Sequence, residues 1–216
     1  MQTRIISLVL ALCLAFSLAI PVGAATIVES KPFPNFPNTM TGYIYDEEGN
    51  VSEITGHLVE SMNPASVASR EEISATYAYD VIDYDTTASR IDGGISAKVY
   101  LTCYYNTADT PTTYLLTKVA WRWVDLAPDD TTHIKSNATL VYVCTGMGPS
   151  GFANQSSGKL SVTNNSYKNT GFTKRVSDAS GTMGAQLTIT LSQGITRHWT
   201  CVLPNWPVDS LAGSFA

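Results

Sequence analysis

The residues best suited to meet a ligand are aromatic. Tyr100 and Tyr104 stand in one strand-like segment, Trp121 and Trp123 in the next, and residues 107–112, which include Pro111, separate the two. If those residues close a hairpin with Asn106 opposite Thr113, Tyr100 faces Val119 and Tyr104 faces Leu115. Trp121 and Trp123 then join the same face, while Val99, Leu101, Cys103, Leu116 and Ala120 line the other. An exposed face of this kind is a stacking platform for sugar rings, with Lys98 alongside as a polar handle. A covered one is ordinary core, because a tryptophan buries roughly 150–250 Å². A slip of one residue would exchange the partners, so the register is an assumption.

Residue types that do acid–base or metal chemistry are sparse. His57 and Glu60 differ by an odd number, so in a regular strand they face opposite sides. His133 falls in a loop, and His198 falls on the solvated side of the last strand. The chain has no His-Glu-x-x-His and no Gly-x-Ser-x-Gly,. Asp80, Asp83, Asp85 and Asp92 are the densest acidic group, where a calcium site or a carboxylate pair would have to be assembled in space. A solvated acidic loop is the preferred reading, as the usual fate of a charge run. No catalytic residue, metal ligand or cofactor is assigned.

Two motif matches fail on context. Gly146-Met147-Gly148-Pro149-Ser150-Gly151 fits the dinucleotide pattern letter for letter. That fingerprint needs a helix to follow it, and residues 152–158 are polar with no helical period, so a flexible loop is expected. Cys103, Trp121 and Tyr142-x-Cys144 echo the immunoglobulin signature. Residues 125–133 leave no room for the two strands that fold places between tryptophan and second cysteine. In a simple meander, Cys103 and Cys144 would sit on outer strands, about 9.6 Å apart and too far to bridge. Cys103, Cys144 and Cys201 are an odd set without zinc spacing, which suits buried, apolar-like residues.

The amino terminus has the order of a secretory signal. Arg4 precedes an apolar run over residues 5–20, Pro21 breaks it, and Val22-Gly23-Ala24-Ala25 supplies small residues for cleavage after Ala24 or Ala25,. The run is short of the ~20 residues that span a bilayer, and Leu12 before Cys13 is too large for lipidation. Residues 209–216 hold no apolar tail. The mature chain is therefore expected outside the cell and off the membrane, a setting that permits disulfides. Its formal charge is −5 with the leader attached, and its basic residues are few and scattered, which argues against nucleic acid and anionic membranes. Four Asn-x-Ser/Thr acceptors, at Asn50, Asn137, Asn154 and Asn164, matter only in a glycosylating host.

Strand signals fill the rest. Residues 26–38 are an extended, proline-rich lead-in whose phenylalanines are expected to lie against the domain. Residues 41–45 and 51–59 flank Asp46-Glu47-Glu48-Gly49-Asn50 as a hairpin, and Asn63-Pro64 is expected to cap a short helix through Ser69. Residues 73–82, 96–106, 114–124 and 134–145 are further strands. Residues 183–191 alternate with period two, and Ser192-Gln193-Gly194 turns the chain into residues 195–203. A three-residue turn sets Leu187 opposite Trp199 and Ala185 opposite Cys201, so Cys201 points into the core. Pro204 and Pro207 end the sheet, with Trp206 as a plug. The expected organisation is a signal over residues 1–25, the lead-in to 38, one β domain over 39–204 with a boundary at 83–94 if it divides, and a tail over 205–216. The class is all-β, an antiparallel sandwich or distorted barrel of roughly ten short strands.

Val99-Tyr100-Leu101-Thr102 with Tyr114-Leu115-Leu116-Thr117-Lys118-Val119 resembles a strand pair in uncharacterised small secreted β-proteins of anaerobic Gram-positive bacteria. The resemblance covers the second half of the chain and implies secretion but no residue roles. Together these readings point to a secreted, non-catalytic binding or structural protein whose partner is a carbohydrate or cell-surface component. The alternative is a small extracellular hydrolase acting on polysaccharide or peptide.

Overall fold

Period-two alternation carries the fold. Along Thr182–Gln193, Met183, Ala185, Leu187, Ile189 and Leu191 are fully buried while the residues between them from Gln186 on are half-exposed. Such a segment is stable only as a strand with one face against a core. A computed structural model describes residues 36–62, 72–85, 90–109, 112–126, 132–134, 138–177, 181–193 and 197–208, all within the unit Pro34–Ala216. The expected helix at 64–69 lies outside the described residues, as do the whole leader and residues 26–35 of the lead-in.

The described strands are β1 (Thr39–Tyr45), β2 (Val51–Met62), β3 (Glu72–Asp85), β4 (Arg90–Asp109), β5 (Thr112–Asp125), β6 (Thr132–Ile134), β7 (Ala138–Gly148), β8 (Gly151–Ser156), β9 (Leu160–Val162), β10 (Ser166–Asn169), β11 (Val176–Ser177), β12 (Thr182–Gln193) and β13 (Arg197–Val208). They are antiparallel throughout and form one sheet with the main path β10-β5-β4-β3-β2-β1-β13-β12-β7-β8; off this path β11 pairs with β5, β6 with β12 and β9 with β7. The all-β antiparallel class is as expected. Of the two architectures anticipated, the barrel-like one is closer: one sheet curls into a half-barrel. Several strands are long rather than short, β4 reaching 20 residues.

A strap crosses the open side. Residues 170–175 run from β10 near one end of the path to β11, which pairs with β5 through Val176 and Tyr114. The Thr170 amide donates to the Thr117 carbonyl at 2.9 Å. On the other bank, Gln155 of β8 accepts from the Thr173 and Lys174 amides at 2.8 and 3.0 Å and donates to the Lys174 carbonyl at 2.7 Å. Arg175 donates to the Asn106 carbonyl at 2.9 Å. Gly148 is required beneath the strap, since a Cβ there would lie 1.9 Å from the Arg175 carbonyl oxygen.

Inside the curl lie Tyr77, Tyr79, Tyr105 and Tyr114, all fully buried. The Tyr77 hydroxyl donates to the Pro37 carbonyl at 2.7 Å, and that of Tyr79 to the Pro204 carbonyl. Phe36 is also buried, its ring 6.3 Å from that of Tyr105. The end of the lead-in therefore does lie against the domain.

Several local expectations need correction. Residues 83–85 and 90–94 fall within β3 and β4, with Tyr84 opposite Ile91 and Asp85 opposite Arg90, and residues 86–89 between them lie outside the described residues. The glycine motif is a two-residue turn, with Gly148 opposite Gly151, and residues 151–156 are strand β8 instead of a loose loop. The assumed β4–β5–β7 meander fails because β7 pairs with β12. Pro204 does not end the sheet, since β13 continues to Val208 and takes in the first residues assigned to the tail. β1 pairs with β13 only over residues 200–202, so Pro204 costs no bond to that neighbour. Cys201 faces Ile189, and Trp199 faces Leu191. This register differs from the expected one by an even number, so Cys201 still points into the core.

Cys103, Cys144 and Cys201 are buried and free. Burial pushes the Cys103 and Cys201 thiols up to about 12 and raises that of Cys144. Since the folded values exceed the ordinary 9.0, this contribution to stability is complete below pH 9 and is lost as the pH climbs towards 12. Native protein at pH 8 should therefore take no iodoacetamide at these cysteines, and all three should label once it is unfolded. Peptide mass spectrometry checks this.

Candidate functional site

The outer face of β2–β3–β4–β5–β10 carries a groove of about 450 Å³. Strand register arranges its side chains in three rows across the sheet. The floor row is Thr76, Thr102, Ala120 and Tyr167, from β3 to β10. Small residues leave it low, and the Thr76 and Thr102 hydroxyls hydrogen-bond at 2.9 Å. One bank pairs Ala78, Tyr100 and Arg122; the other pairs Ser74, Tyr104 and Lys118. Tyr100 and Tyr104 are four residues apart on one strand, so the banks stand about 13 Å apart. Val59, displaced outward at a bulge in β2, lines the β2 end of the groove.

Each bank is a tyrosine with a cation on its ring. The Arg122 guanidinium lies 4.1 Å from the Tyr100 ring centroid, and the Lys118 ammonium 3.7 Å from that of Tyr104. These contacts fix side chains that would otherwise sample many rotamers. Lys98 stands further along the same face, 3.2 Å from Asp80, and is engaged there rather than in the groove.

A turn supplies the far end. The Asn164 side chain accepts from the Trp123 amide and donates to the Trp123 carbonyl, both at 2.8 Å, acting as one more strand residue. The Trp121 indole donates to the Thr163 carbonyl at 2.7 Å. Asn165 adopts the left-handed conformation, φ 56°, and the chain returns as β10 with Tyr167 64 % exposed.

The structure divides the four aromatics named from sequence. Tyr100 and Tyr104 are groove banks, and Trp121 contributes to the wall beside them. Trp123 is not among the lining residues. The assumed β4–β5 register is wrong: Tyr100 faces Arg122, not Val119, and Tyr104 faces Lys118, not Leu115. One extra residue, Thr117, sits between the partners of Tyr104 and Tyr105. This bulge moves Trp121 and Trp123 to the face of Leu101 and Val99, where both are buried,. Iodide should therefore quench Trp121, Trp123 and Trp199 weakly, and a Trp121→Phe variant should lose about 1–3 kcal/mol of stability. Strong quenching removed by Trp121→Phe would contradict the burial.

A second bulge, between Leu58 and Glu60, sets positions 57 and 60 opposite Ala78 and Thr76. By register they share a face, contrary to the odd-spacing rule. Among the described residues there is no cluster of three or more metal-ligating side chains. Arg122, Lys118, Asn165 and Tyr167 were missed by sequence reasoning. The even spacing of Lys118, Ala120 and Arg122 and the Asn164-Asn165 turn were the available signals. No family model, curated protein or solved structure matches this chain.

Proposed function

We propose that this is an exported, non-catalytic protein that binds an extended carbohydrate in the outer groove of its sheet. The observation that carries the reading is the pair of tyrosine banks over a hydroxyl-lined floor. Sugar rings combine apolar faces with hydroxyl edges, and such a surface offers partners for both. Among the described lining residues there is no carboxylate and no imidazole, whereas glycoside hydrolysis uses two carboxylates flanking the bond. That favours binding over the hydrolase alternative. Export rests on the leader-like order of residues 4–25.

One preparation tests the proposal. Protein recovered from culture medium is expected to begin at Ala25 or Thr26, to bind polysaccharides on a glycan array, and to release no product across a hydrolase panel. A Tyr100→Ala/Tyr104→Ala variant should lose most of the binding while keeping its fold. Turnover of any polysaccharide or peptide, or binding that survives the double substitution, would overturn it.

A further inference from the structure

Resting on the groove as a carbohydrate site, we infer that its ligand is an acidic polysaccharide, a chain of pyranose rings bearing carboxylates. The two banks are not equivalent to bare aromatic platforms. Each holds a cation against the tyrosine ring, 4.1 Å away for Arg122 and 3.7 Å for Lys118. A guanidinium stacked on a ring uses its π face and leaves its in-plane N–H groups for a carboxylate, whose two oxygens match the fork. Tyr100 and Tyr104 therefore hold charge in place as well as offering apolar surface.

The surroundings concentrate that charge. The whole chain carries −5, yet the described lining residues include a cation and no acid. Two β3 acids flank the banks by register: Asp80, paired with Lys98 at 3.2 Å, beyond the Arg122 bank, and Glu72, opposite Asn106, beyond the Lys118 bank. Glu60 is the backbone partner of Thr76 at the opposite, β2 end of the floor row, so the cationic end is the β5 end. A chain lying along Thr102 and Ala120 passes between Arg122 on one bank and Lys118 on the other.

A peptide of the same charge fits less well. Extended peptides gain affinity by adding a strand to an unpaired sheet edge. The floor strands β3, β4 and β5 are hydrogen-bonded on both sides, leaving only side chains to read the ligand. Those are hydroxyls, an amide and tyrosines, a set suited to a ring-and-hydroxyl polymer.

The test uses polygalacturonate, its fully methyl-esterified form and poly-L-glutamate as probes for the full exported chain. Polygalacturonate should bind, with affinity falling as salt screens the pairs. The ester and the polyglutamate should bind about tenfold or more weakly. Arg122→Gln, at an exposed position, should lose about the same factor for polygalacturonate only. Equal binding of the acid and its ester, unaffected by Arg122→Gln, would overturn the charge inference while sparing the carbohydrate site. Tighter binding of polyglutamate would overturn the polysaccharide class. If no polysaccharide of either charge binds, the site itself is refuted.

Discussion

Asn205→Asp is expected to remove about 4 kcal/mol of stability at pH 7 and much less near pH 4. Asn205 is fully buried, and its amide nitrogen donates to the Ala75 carbonyl at 3.0 Å and the Leu101 carbonyl at 2.8 Å. These bonds tie the end of β13 to β3 and β4 across the interior of the curl. A carboxylate placed there is fully buried and faces two carbonyl oxygens,. The folded variant must take up a proton, raising the aspartate above its ordinary value of about 3.9. Protonation at pH 7 costs about 1.4 kcal/mol for each of roughly three pH units. Because the folded pKa is the higher one, stability is recovered as the pH falls towards the unfolded value. Asn205→Leu lacks the charge and should lose about 2 kcal/mol at both pH values. Guanidinium unfolding at pH 4 and pH 7 separates the two, and an Asn205→Asp protein with pH-independent stability would refute the account.

Gly184→Ala should be nearly as damaging, at about 4 kcal/mol. Gly184 holds φ +147° within a bulge of β12, and a Cβ there would lie 2.0 Å from the Asn205 carbonyl oxygen and 2.9 Å from the Trp206 ring. Backbone strain and overpacking each contribute about 1–3 kcal/mol at such a site. Gly49→Ala is the matched control. Its φ is +85°, but nothing lies within 4 Å of the added carbon, so only the conformational term of about 1–2 kcal/mol remains. Similar losses in the two variants, measured by denaturant unfolding, would show that β12 relaxes around the methyl group.

The all-β class was legible because its signals are local. Residues 183–191 alternate without a break, and the β1–β2 turn is written in its own residues. There the Asp46 carboxylate accepts from the Asn50 backbone and side-chain amides, each at 2.7 Å. Cys201 was placed correctly from a register that was not correct, because an even error leaves the face unchanged. Bulges at Thr117 and Val59 defeated the same reasoning elsewhere. One added residue reverses every later side chain on the strand, and neither Lys-flanked Thr117 nor Val59 differs from an ordinary strand residue. Tyr100 and Tyr104 were therefore identifiable as candidates, while their true companion Arg122 was hidden behind the Thr117 bulge. Pairings such as β1 with β13 and β7 with β12 join distant parts of the chain and carry no mark in sequence.

The short seam between β1 and β13 has a mechanical consequence. β1 is the first described strand and β13 the last, and they are antiparallel neighbours whose ladder is Tyr43–Val202, Ile44–Cys201 and Tyr45–Thr200, with the Trp206 amide donating to the Met40 thioether at 3.2 Å beyond it. The chain enters β1 and leaves β13 at the same end of this pair. Tension applied at the two chain ends therefore loads the seam one rung at a time, as a zipper opens, instead of shearing all its rungs together. Pulled this way, the molecule would part first between β1 and β13, while the residue 170–175 strap, on the far side of the curl, carried no load until the seam had gone.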